Sequence, residues 1–530
     1  MVERGKALFV REATGLVREF GPTTALMIAM NNMIGAGIFA LSIRAPYTYP
    51  GSDITLAFII GLIPAFFIAL SYAWLGSAMP RAGGDYVFIS RTINPAVGYV
   101  ATIGNFLGRF FSVGFLLYTD VKLWGIALTI AGKAMNNPGL TGFGTYLSVD
   151  VTAAIVGAIL LLLTVWFFLT IGGTIFKSYI ALIWLIPLLG AIVIVGMNLV
   201  NPYNPATLKT AWDATWGVGS YNEVVTVAKE AGWKPLAFDW DATTRAIIAA
   251  LFAYSGFHNP AQWSGEIKNP KRNLLIGVVG GLLITAVVYI TLAWSAFYSG
   301  GEFIAQYNWA YYKARANLKI TTPIEPVLPM FAVVFAGGNA ALAFLAAIAG
   351  AFALYHVQPA ALLMETRRVF SIAFDRFFPE RFAYVSEKFH TPVWAIVFMV
   401  IGGIFGIIVS SPALGPLRTI FGGINATFMY LLGYMFTGLA LALVPLLKPE
   451  IYESIKYEVG KVPLPSVCGL VAFASSIFFF AVAAQTLSIF DISISCTVLG
   501  IGLLLFIYYS IKNQRMGIDV KTLLSEIPPE

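Results

Sequence analysis

Charged side chains are scarce in this 530-residue chain, since Asp, Glu, Lys and Arg together make up 11% of it and hydrophobic residues 58%. Soluble proteins carry roughly a quarter charged residues. The composition therefore excludes an ordinary soluble protein. The formal net charge of +7 does not indicate a nucleic-acid partner, because the basic residues stand in short segments between apolar runs, as in membrane proteins.

Cysteine and histidine are scarce as well. Cys468 and Cys496 both lie within hydrophobic runs, so the sequence predicts neither a disulfide framework nor a Cys-based metal site. The three histidines lie in distant segments, and no His-Glu-x-x-His motif occurs. We therefore expect no enzyme, no metal and no cofactor. A polytopic membrane enzyme and a channel remain the alternatives from other classes, but convergent catalytic groups and repeated pore elements are missing from the sequence.

Long apolar runs are abundant. A run of about 18 or more apolar residues is long enough to cross a bilayer. Such runs predict an all-α polytopic protein of the cell membrane, surrounded by lipid. The sequence does not indicate an obligate protein partner. The twelve predicted spans are approximately 22–44, 54–79, 96–131, 150–171, 178–200, 243–267, 273–299, 338–368, 393–411, 417–446, 465–486 and 489–511.

The distribution of basic residues predicts the orientation. An even number of spans places both termini on one side, and that side holds twenty-one Lys and Arg residues against ten on the other. Because cytoplasmic loops carry the excess of Lys and Arg, both termini are predicted to be cytoplasmic. The long outer segments 201–242 and 300–337 are rich in aromatic residues, which suits either the membrane interface or a lid.

Two predicted spans contain sequences that interrupt helices. In the first span, Gly35 and Gly37 follow two asparagines, and Gly and Asn are poor helix formers. In the sixth span, Pro260 removes a backbone donor and disfavours helix at Asn259. A Gly-x-Gly alone could instead serve close helix packing. Interruptions in two oppositely directed spans, however, are typical of secondary transporters built from inverted repeats.

A broken helix leaves peptide groups unpaired, and these predict a substrate site. The N–H groups at about 35–38 suit a carboxylate, whereas carbonyls near 252–255 suit an ammonium group. The predicted small-molecule substrate is an amino acid, with a polyamine or other organic cation as the alternative. The predicted binding residues are Ile34, Gly35, Ala36, Gly37, Ile38, Phe252, Ala253, Tyr254, Ser255, Phe257, His258 and Tyr118.

Ionisable residues inside the membrane are candidates for coupling transport to an ion. Asp120 either takes part in transport or pairs with a basic group, and His258 either senses protons or substrate or makes a structural hydrogen bond at the kink. A sodium site on the eighth span would need hard oxygen ligands, but 337–364 contains no Ser, Thr, Asp or Glu. We therefore expect proton coupling or exchange rather than sodium coupling.

Several stretches carry motifs that point to one family. These stretches are the glycine pair within 34–39, the loop Pro-Arg-Ala-Gly-Gly-Asp-Tyr at 80–86, the sixth-span stretch 252–257 with 265–272, and, more weakly, 366–370, 375–379 and 391–392. Together they resemble the amino acid–polyamine–organocation transporter superfamily. One departure concerns ion coupling. Some relatives carry a lysine in the middle of the fifth span, whereas Lys177 of this chain lies only at the start of that span. Another is His258, which stands where many relatives have an acidic residue.

The resemblance implies amino acid transport on a five-plus-five inverted repeat, with discontinuous first and sixth helices and two additional C-terminal helices. The implied divisions are a cytoplasmic segment 1–21, a first repeat 22–200, an outer loop 201–242, a second repeat 243–446, two further helices within 464–511, and a cytoplasmic tail 512–530.

Overall fold

A computed structural model of the chain describes residues 9–10, 13–35, 37–320, 324–415, 417 and 426–529. Its ordered elements are almost entirely helical. The α-helices are α1 Pro22–Met33, α2 Ser42–Thr48, α3 Ile54–Ala78, α4 Asp85–Thr92, α5 Pro95–Ala134, α6 Pro138–Val149, α7 Val151–Ile171, α8 Gly173–Leu199, α9 Pro205–Trp216, α10 Ser220–Glu230, α11 Trp240–Tyr254, α12 Asn259–Gln262, α13 Pro270–Leu274, α14 Gly281–Ala314, α15 Leu328–Ala332, α16 Ala340–Tyr355, α17 Val357–Phe374, α18 Val393–Val409, α19 Ala426–Leu447, α20 Pro449–Tyr452, α21 Leu464–Thr486, α22 Ile489–Arg515 and α23 Val520–Ser525.

Shorter elements connect these helices. Two antiparallel strands, β1 Glu458–Val459 and β2 Val462–Pro463, form a small hairpin. Two π-helical turns span Gly37–Leu41 and Leu275–Gly280. The 3-10 turns are Ser264–Glu266, Arg315–Asn317, Val333–Ala336, Glu380–Ala383, Pro412–Leu414 and Glu453–Ile455.

Within the described residues, nine helices are long and apolar enough to cross a membrane. A tenth span results if α1 and the Gly37–Thr48 segment, which meet at about 40°, are counted as one broken span. The polytopic all-α prediction is thereby confirmed. The predicted total of twelve stays a prediction, because α11 and α18 fall short of the length of a regular span.

Several helices begin where a polar side chain caps the first turn. The Asp53 carboxylate accepts a hydrogen bond from the Leu56 N–H at 3.0 Å, and Asp150 accepts one from the Ala153 N–H at 2.7 Å. Asn94 accepts from Ala96 and precedes a proline, which needs no donor partner in the first turn. These caps set where the long helices start, and hence which residues reach the middle of each span.

The surface of the helical bundle is apolar in a way that suits lipid. Large hydrophobic side chains on several long helices are half or more exposed, including Ile63 at 60%, Leu160 at 60%, Val287 at 65% and Leu504 at 68%. Exposed apolar area on this scale would favour association in water, whereas hydrocarbon solvates it. The exposed side chains therefore agree with a multi-pass membrane protein.

The two ends of the bundle differ, and we name them by the segments they carry. The terminal face carries the segment around Phe20, which pairs with Ile267, and helix α23, which lies near α4. The loop face carries α9 and α10. On the loop face Trp212, Trp216 and Trp233 are buried within the protein rather than facing the membrane interface, whereas Trp240 is 62% exposed.

Candidate functional site

The first predicted break is present in the structure. Helix α1 ends at Met33, and Ile34 adopts an extended conformation with ψ 96°. A π-helical turn follows at Gly37–Leu41, in which the N–H groups of Ile38 and Phe39 both donate to the Gly35 carbonyl, at 3.2 and 3.4 Å. The break therefore reorganises the backbone over about one turn, and Ala36 lies outside the described residues.

The second predicted break is also present. Helix α11 ends at Tyr254, Ser255 turns away from helical geometry with ψ 136°, and Gly256 has φ +116°. A side chain is strained at such a φ, so the turn depends on glycine. Only the four-residue helix α12 and a 3-10 turn follow before Ile267, so the second half of the predicted span 243–267 is not one continuous helix.

The two breaks touch each other directly. A Cβ atom on Gly37 would lie 2.5 Å from the Ala253 Cβ, and a Cβ on Gly256 would lie 2.5 Å from the Asn32 carbonyl oxygen. The Asn32 amide also donates to the Gly256 carbonyl at 3.3 Å. The two interrupted segments thus face each other at glycine positions.

Side chains of the protein contact several of the backbone carbonyl groups that have lost their helical hydrogen bonds at the breaks. The Tyr289 hydroxyl lies 2.5 Å from the Met33 carbonyl oxygen and 3.1 Å from that of Ala253, and its one proton serves only one of them at a time. The His356 Nε2 contacts the Ile34 carbonyl. The Phe252 carbonyl accepts from the Ser255 hydroxyl at 2.6 Å. An ammonium group would therefore have to displace hydroxyl partners at Phe252 and Ala253.

Three further predicted binding residues, Tyr254, Phe257 and Phe252, differ in their contacts and burial. Tyr254 stacks on Tyr289, with ring centroids 5.4 Å apart, and donates to the Phe58 carbonyl at 3.1 Å. Phe257 is buried and stacks on Tyr434. The Phe252 side chain is 39% exposed.

Tyr118 lies on α5, and its surroundings differ from those of the residues beside the second break. Its ring is buried, and the Lys122 Nζ lies 4.9 Å from the ring centroid. The Tyr118 hydroxyl has no hydrogen-bond partner among the described residues. The structure does not place Tyr118 in the contact between the two breaks.

Asp120 is fully buried, and neither carboxylate oxygen has a hydrogen-bond partner within the described part of the chain. The backbone N–H groups of Leu354 and Tyr355 approach it, together with the Trp124 indole, without reaching hydrogen-bond geometry. No basic side chain pairs with it among the described residues. The alternative in which Asp120 pairs with a basic group thus finds no support in the structure.

A pair of tyrosines lies near Asp120, and one of them precedes a residue that contacts the first break. The hydroxyl groups of Tyr179 and Tyr355 are hydrogen-bonded at 2.6 Å. Tyr355 ends α16, and the next residue is His356, whose ring contacts the Ile34 carbonyl. The end of α16 thus lies between the surroundings of Asp120 and the backbone of the first break.

His258 lies within the second break and belongs to a different cluster. Its Nδ1 shares a hydrogen bond of 3.0 Å with the Tyr434 hydroxyl, and its ring lies 5.1 Å from that of Tyr72 and 5.5 Å from that of Tyr430. The Arg109 guanidinium donates to the Tyr430 hydroxyl at 2.8 Å. The hydrogen bond with Tyr434 joins His258 to α19 rather than to the backbone of the second break. The His258 Nε2 has no partner among the described residues.

Buried ion pairs close the terminal face beside the second break. Arg367 holds both carboxylate oxygens of Glu266, at 2.7 and 2.8 Å. Arg368 contacts Asp85 at 3.0 Å and Glu365 at 2.7 Å. These side chains are at most 4% exposed. Stretches 80–86, 265–272 and 366–370, which carried the family resemblance separately, thus meet in one network.

A further pair extends this network to the end of the chain. Arg91 contacts Asp375 at 2.5 Å, and the Tyr86 hydroxyl donates to the same carboxylate at 2.7 Å. Burial raises the pKa of Asp375, while Arg91 and Tyr86 act in the opposite sense. Arg91 also donates to the Glu526 carbonyl at 3.2 Å, so the C-terminal segment is fastened to the same network.

Some of these functional candidates were not predictable from the sequence. Tyr289, Tyr179 and Tyr434 are aromatic residues in apolar runs, which no pattern distinguishes from ordinary packing residues. The glycine, asparagine and proline signals located both breaks correctly. No cluster of metal-ligating side chains occurs within the described residues.

A helical membrane protein whose first and sixth spans are both interrupted, with the interruptions in contact, has the architecture of a secondary transporter. Residues 20–506 match the family model described as "Amino acid permease". The chain belongs to this family, and the resemblance to the amino acid–polyamine–organocation superfamily is confirmed.

Three curated proteins of Bacillus subtilis illustrate the similarity. The glutamate/serine transporter AimA is 27% identical over 285 residues, which cover 52% of this chain and 47% of that protein, so the match spans about half of AimA. The branched-chain amino acid permease BcaP is 23% identical over 396 residues, covering 72% and 73%. The methylthioribose transporter is 24% identical over 515 residues, covering 96% of each chain. These names indicate transporters rather than enzymes.

Proposed function

We propose that this protein is a secondary transporter that carries an amino acid across the cell membrane by alternating access. The contact between the two breaks, Gly37 against Ala253 and Gly256 against Asn32, is the observation that carries the proposal. Unwound backbone inside a membrane is tolerated where it lines a cavity, and here it lies at a glycine contact that a small rotation of either segment would open.

The two ends of a zwitterion would bind to opposite sides of this opening. The carboxylate binds the N–H groups around Gly35 and Gly37, at the positive end of the second half of the first span. The ammonium group binds the carbonyls of Ala253 and Ser255 and replaces the Tyr289 hydroxyl at Ala253. Tyr289 and His356 hold the carbonyl groups while the site is empty, which lowers the cost of unpaired backbone.

We assign the coupling role to Asp120. A buried carboxylate without a cation is costly when charged, so it favours the uptake of a proton or of a cationic group. Proton uptake at Asp120 acts on the first break through the end of α16, where Tyr355 is followed by His356, whose ring contacts the Ile34 carbonyl. Because 337–364 contains no Ser, Thr, Asp or Glu to supply hydroxyl or carboxylate oxygens to sodium, the proposed transport is independent of sodium and coupled to protons or to exchange.

The terminal face is the cytoplasmic side in this proposal, because the excess of Lys and Arg lies there. The ion pairs of Arg367 with Glu266 and of Arg368 with Asp85 then form the cytoplasmic gate. Opening this gate requires that these pairs separate or move as a unit, and the long segments of the loop face lie on the outside.

Transport by purified protein in liposomes tests the proposal. Liposomes loaded with one amino acid should accumulate the same labelled amino acid by saturable counterflow, in the absence of sodium. A channel would not give counterflow, and an enzyme would convert the solute without moving it. Counterflow that requires sodium would contradict the coupling part of the proposal.

Two other substrate classes follow from specific observations. A polyamine or organic cation would need only the carbonyl side of the site, and decarboxylated amines would then compete as well as the amino acids. The methylthioribose transporter aligns over 96% of both chains, which favours a neutral thiosugar as the second candidate. Competition by methylthioribose but by no amino acid would replace the amino acid with this solute.

A further inference from the structure

A cavity of about 450 Å³ lies on the loop face, away from the two breaks, and is lined by Tyr203, Tyr221, Lys229, Trp233, Glu302 and Gln306 among others. It shares Trp233, Pro235 and Glu302 with a neighbouring cavity of about 610 Å³. Each of these volumes exceeds that of a small amino acid, so space does not limit what can bind.

The cavity presents hydrogen-bond acceptors to an occupant. The Gln306 Nε2 donates to Glu302 Oε1 at 3.4 Å, and this bond fixes the orientation of the amide. The Gln306 Oε1 is then buried without a partner among the described residues, and Gln306 is only 3% exposed. Buried acceptors in proteins are almost always paired, so this oxygen calls for a donor from an occupant.

Aromatic side chains surround these acceptors and are held firmly. The Tyr203 ring lies against Gly301, where φ is +51° and a Cβ would lie 2.5 Å from the Tyr203 Cγ. Tyr221 stacks on Phe303 with centroids 4.5 Å apart and an interplanar angle of 8°. Burial raises the pKa of Tyr203, and Tyr221 and Glu302 raise it further, which places all three side chains together. Aromatic faces beside a carboxylate favour a cation.

We propose that this cavity binds the charged head of an amino acid on its way to the central site. The ammonium group donates to the Glu302 carboxylate and the Gln306 Oε1, and the carboxylate pairs with Lys229 at the rim. The identity of the ligand as the transported solute rests on the proposed function, whereas its ammonium and carboxylate groups follow from the cavity itself.

Protection from cysteine labelling tests this site without measuring transport. The starting variant carries Cys496→Ser, which removes the exposed native cysteine, and Val225→Cys, which places a thiol in the cavity wall. Labelling with a maleimide is followed in nanodiscs with L-serine or L-leucine as the probe, and with ethanolamine or 3-methylbutylamine as their decarboxylated counterparts. Pro235→Cys provides a second labelling position.

At least one of the two amino acids should slow labelling, and its amine should do so less well. Glu302→Gln combined with Gln306→Leu should raise the half-protecting concentration about tenfold, since hydrogen bonds to a charged group are lost. Lys229→Gln should remove the advantage of the amino acid over its amine. The control Asp241→Asn, an exposed carboxylate on the same face, should change nothing.

Labelling at both positions that neither amino acid slows, up to its solubility limit, would overturn the proposal, as would protection that the double variant leaves unchanged. Failure of the proposed function would instead appear as absent counterflow in liposomes of the unmodified protein. The two failures are therefore distinguishable.

Discussion

The terminal face and the loop face are held together by different interactions. On the terminal face, arginines and carboxylates that are at most 4% exposed join α4, α17 and the residues after the second break. On the loop face the ion pair of Lys209 with Asp213 is partly exposed, and Trp212, packed among Phe303 and Phe331, holds α9. Buried ion pairs therefore hold the terminal face, whereas aromatic packing holds the loop face, which also contains two open cavities.

The largest expected effect follows from breaking one pair of the terminal face. Arg367→Ala leaves Glu266 buried without its partner, which should lower the free energy of unfolding by about 3–5 kcal/mol. Thermal unfolding of the purified protein measures this loss. The control is Arg381→Ala, an exposed arginine of the same face, which should have little effect.

A double variant sharpens this prediction. Replacing both Arg367 and Glu266 by Leu should recover most of the stability, because an apolar pair avoids the uncompensated charge. If Arg367→Ala were no less stable than Arg381→Ala, the ion pairs would not be what holds the terminal face.

The second prediction concerns the contact between the two breaks, which lies between the two faces. Gly37→Ala adds a methyl group 2.5 Å from the Ala253 Cβ, and overpacking of this kind costs about 1–3 kcal/mol. Each transport cycle must re-form this contact, so the uptake rate should fall by about tenfold or more. Gly196→Ala is the matched control, because this helical glycine has no atom within 4 Å of the added Cβ. Equal uptake by the two variants would contradict a tight contact that must move.

The third prediction separates the coupling of transport to protons from the movement of the solute itself. Asp120→Asn keeps the shape of the side chain but removes its charge, so counterflow should persist while accumulation driven by a proton gradient is lost. Uptake into liposomes with and without an imposed pH gradient measures the two processes, with Asp241→Asn as the control. Gradient-driven accumulation that survives in Asp120→Asn would remove this residue from coupling.

A smaller effect on uptake than that of Asp120→Asn is expected from a change at His258, whose ring connects the second break to α19. His258→Gln keeps a hydrogen-bonding group for Tyr434 but cannot take up a proton. If His258 senses protons, the dependence of uptake on pH should flatten while the protein remains folded. An unchanged pH profile and affinity would leave His258 with a structural role only.

The smallest effect is expected on the loop face. Lys209→Ala breaks the pair with Asp213, but the lysine side chain is 41% exposed, so the loss should stay below about 1 kcal/mol. Thermal unfolding beside Arg367→Ala compares the two faces directly. A loss as large as that of Arg367→Ala would mean that the faces do not differ in the way described here.

Much of this architecture could be predicted from composition and from single residues. Glycine and asparagine stand together at 31–37, and glycine, asparagine and proline at 256–260, so the breaks at Ile34 and Ser255 were foreseeable. The groups that occupy the freed backbone were not, because Tyr289 is 256 residues away from Met33 and His356 is 322 residues away from Ile34. Contacts of this kind depend on how the helices pack, which helix-breaking residues do not specify.

The ion-pair network of the terminal face could not be predicted either, because it also depends on how the helices pack. The motif residues Asp85 and Arg368 were noted for their resemblance to a family, yet they lie 283 residues apart, and no pattern in the sequence joins them. The sequence also suggested a basic partner for Asp120, because buried carboxylates usually have one. The packing of α5 against α16 instead surrounds it with backbone and tyrosines, which makes it the candidate for coupling.

The central claim is that the two breaks separate to hold a solute between them. A structure determined by electron cryo-microscopy in the presence of an amino acid that gives counterflow tests this most directly. Density for the ligand should appear between 35–38 and 252–258, with its carboxylate on the backbone of the first break and Gly37 moved away from Ala253. Breaks still in contact, with the ligand bound elsewhere in a protein that transports it, would contradict the account.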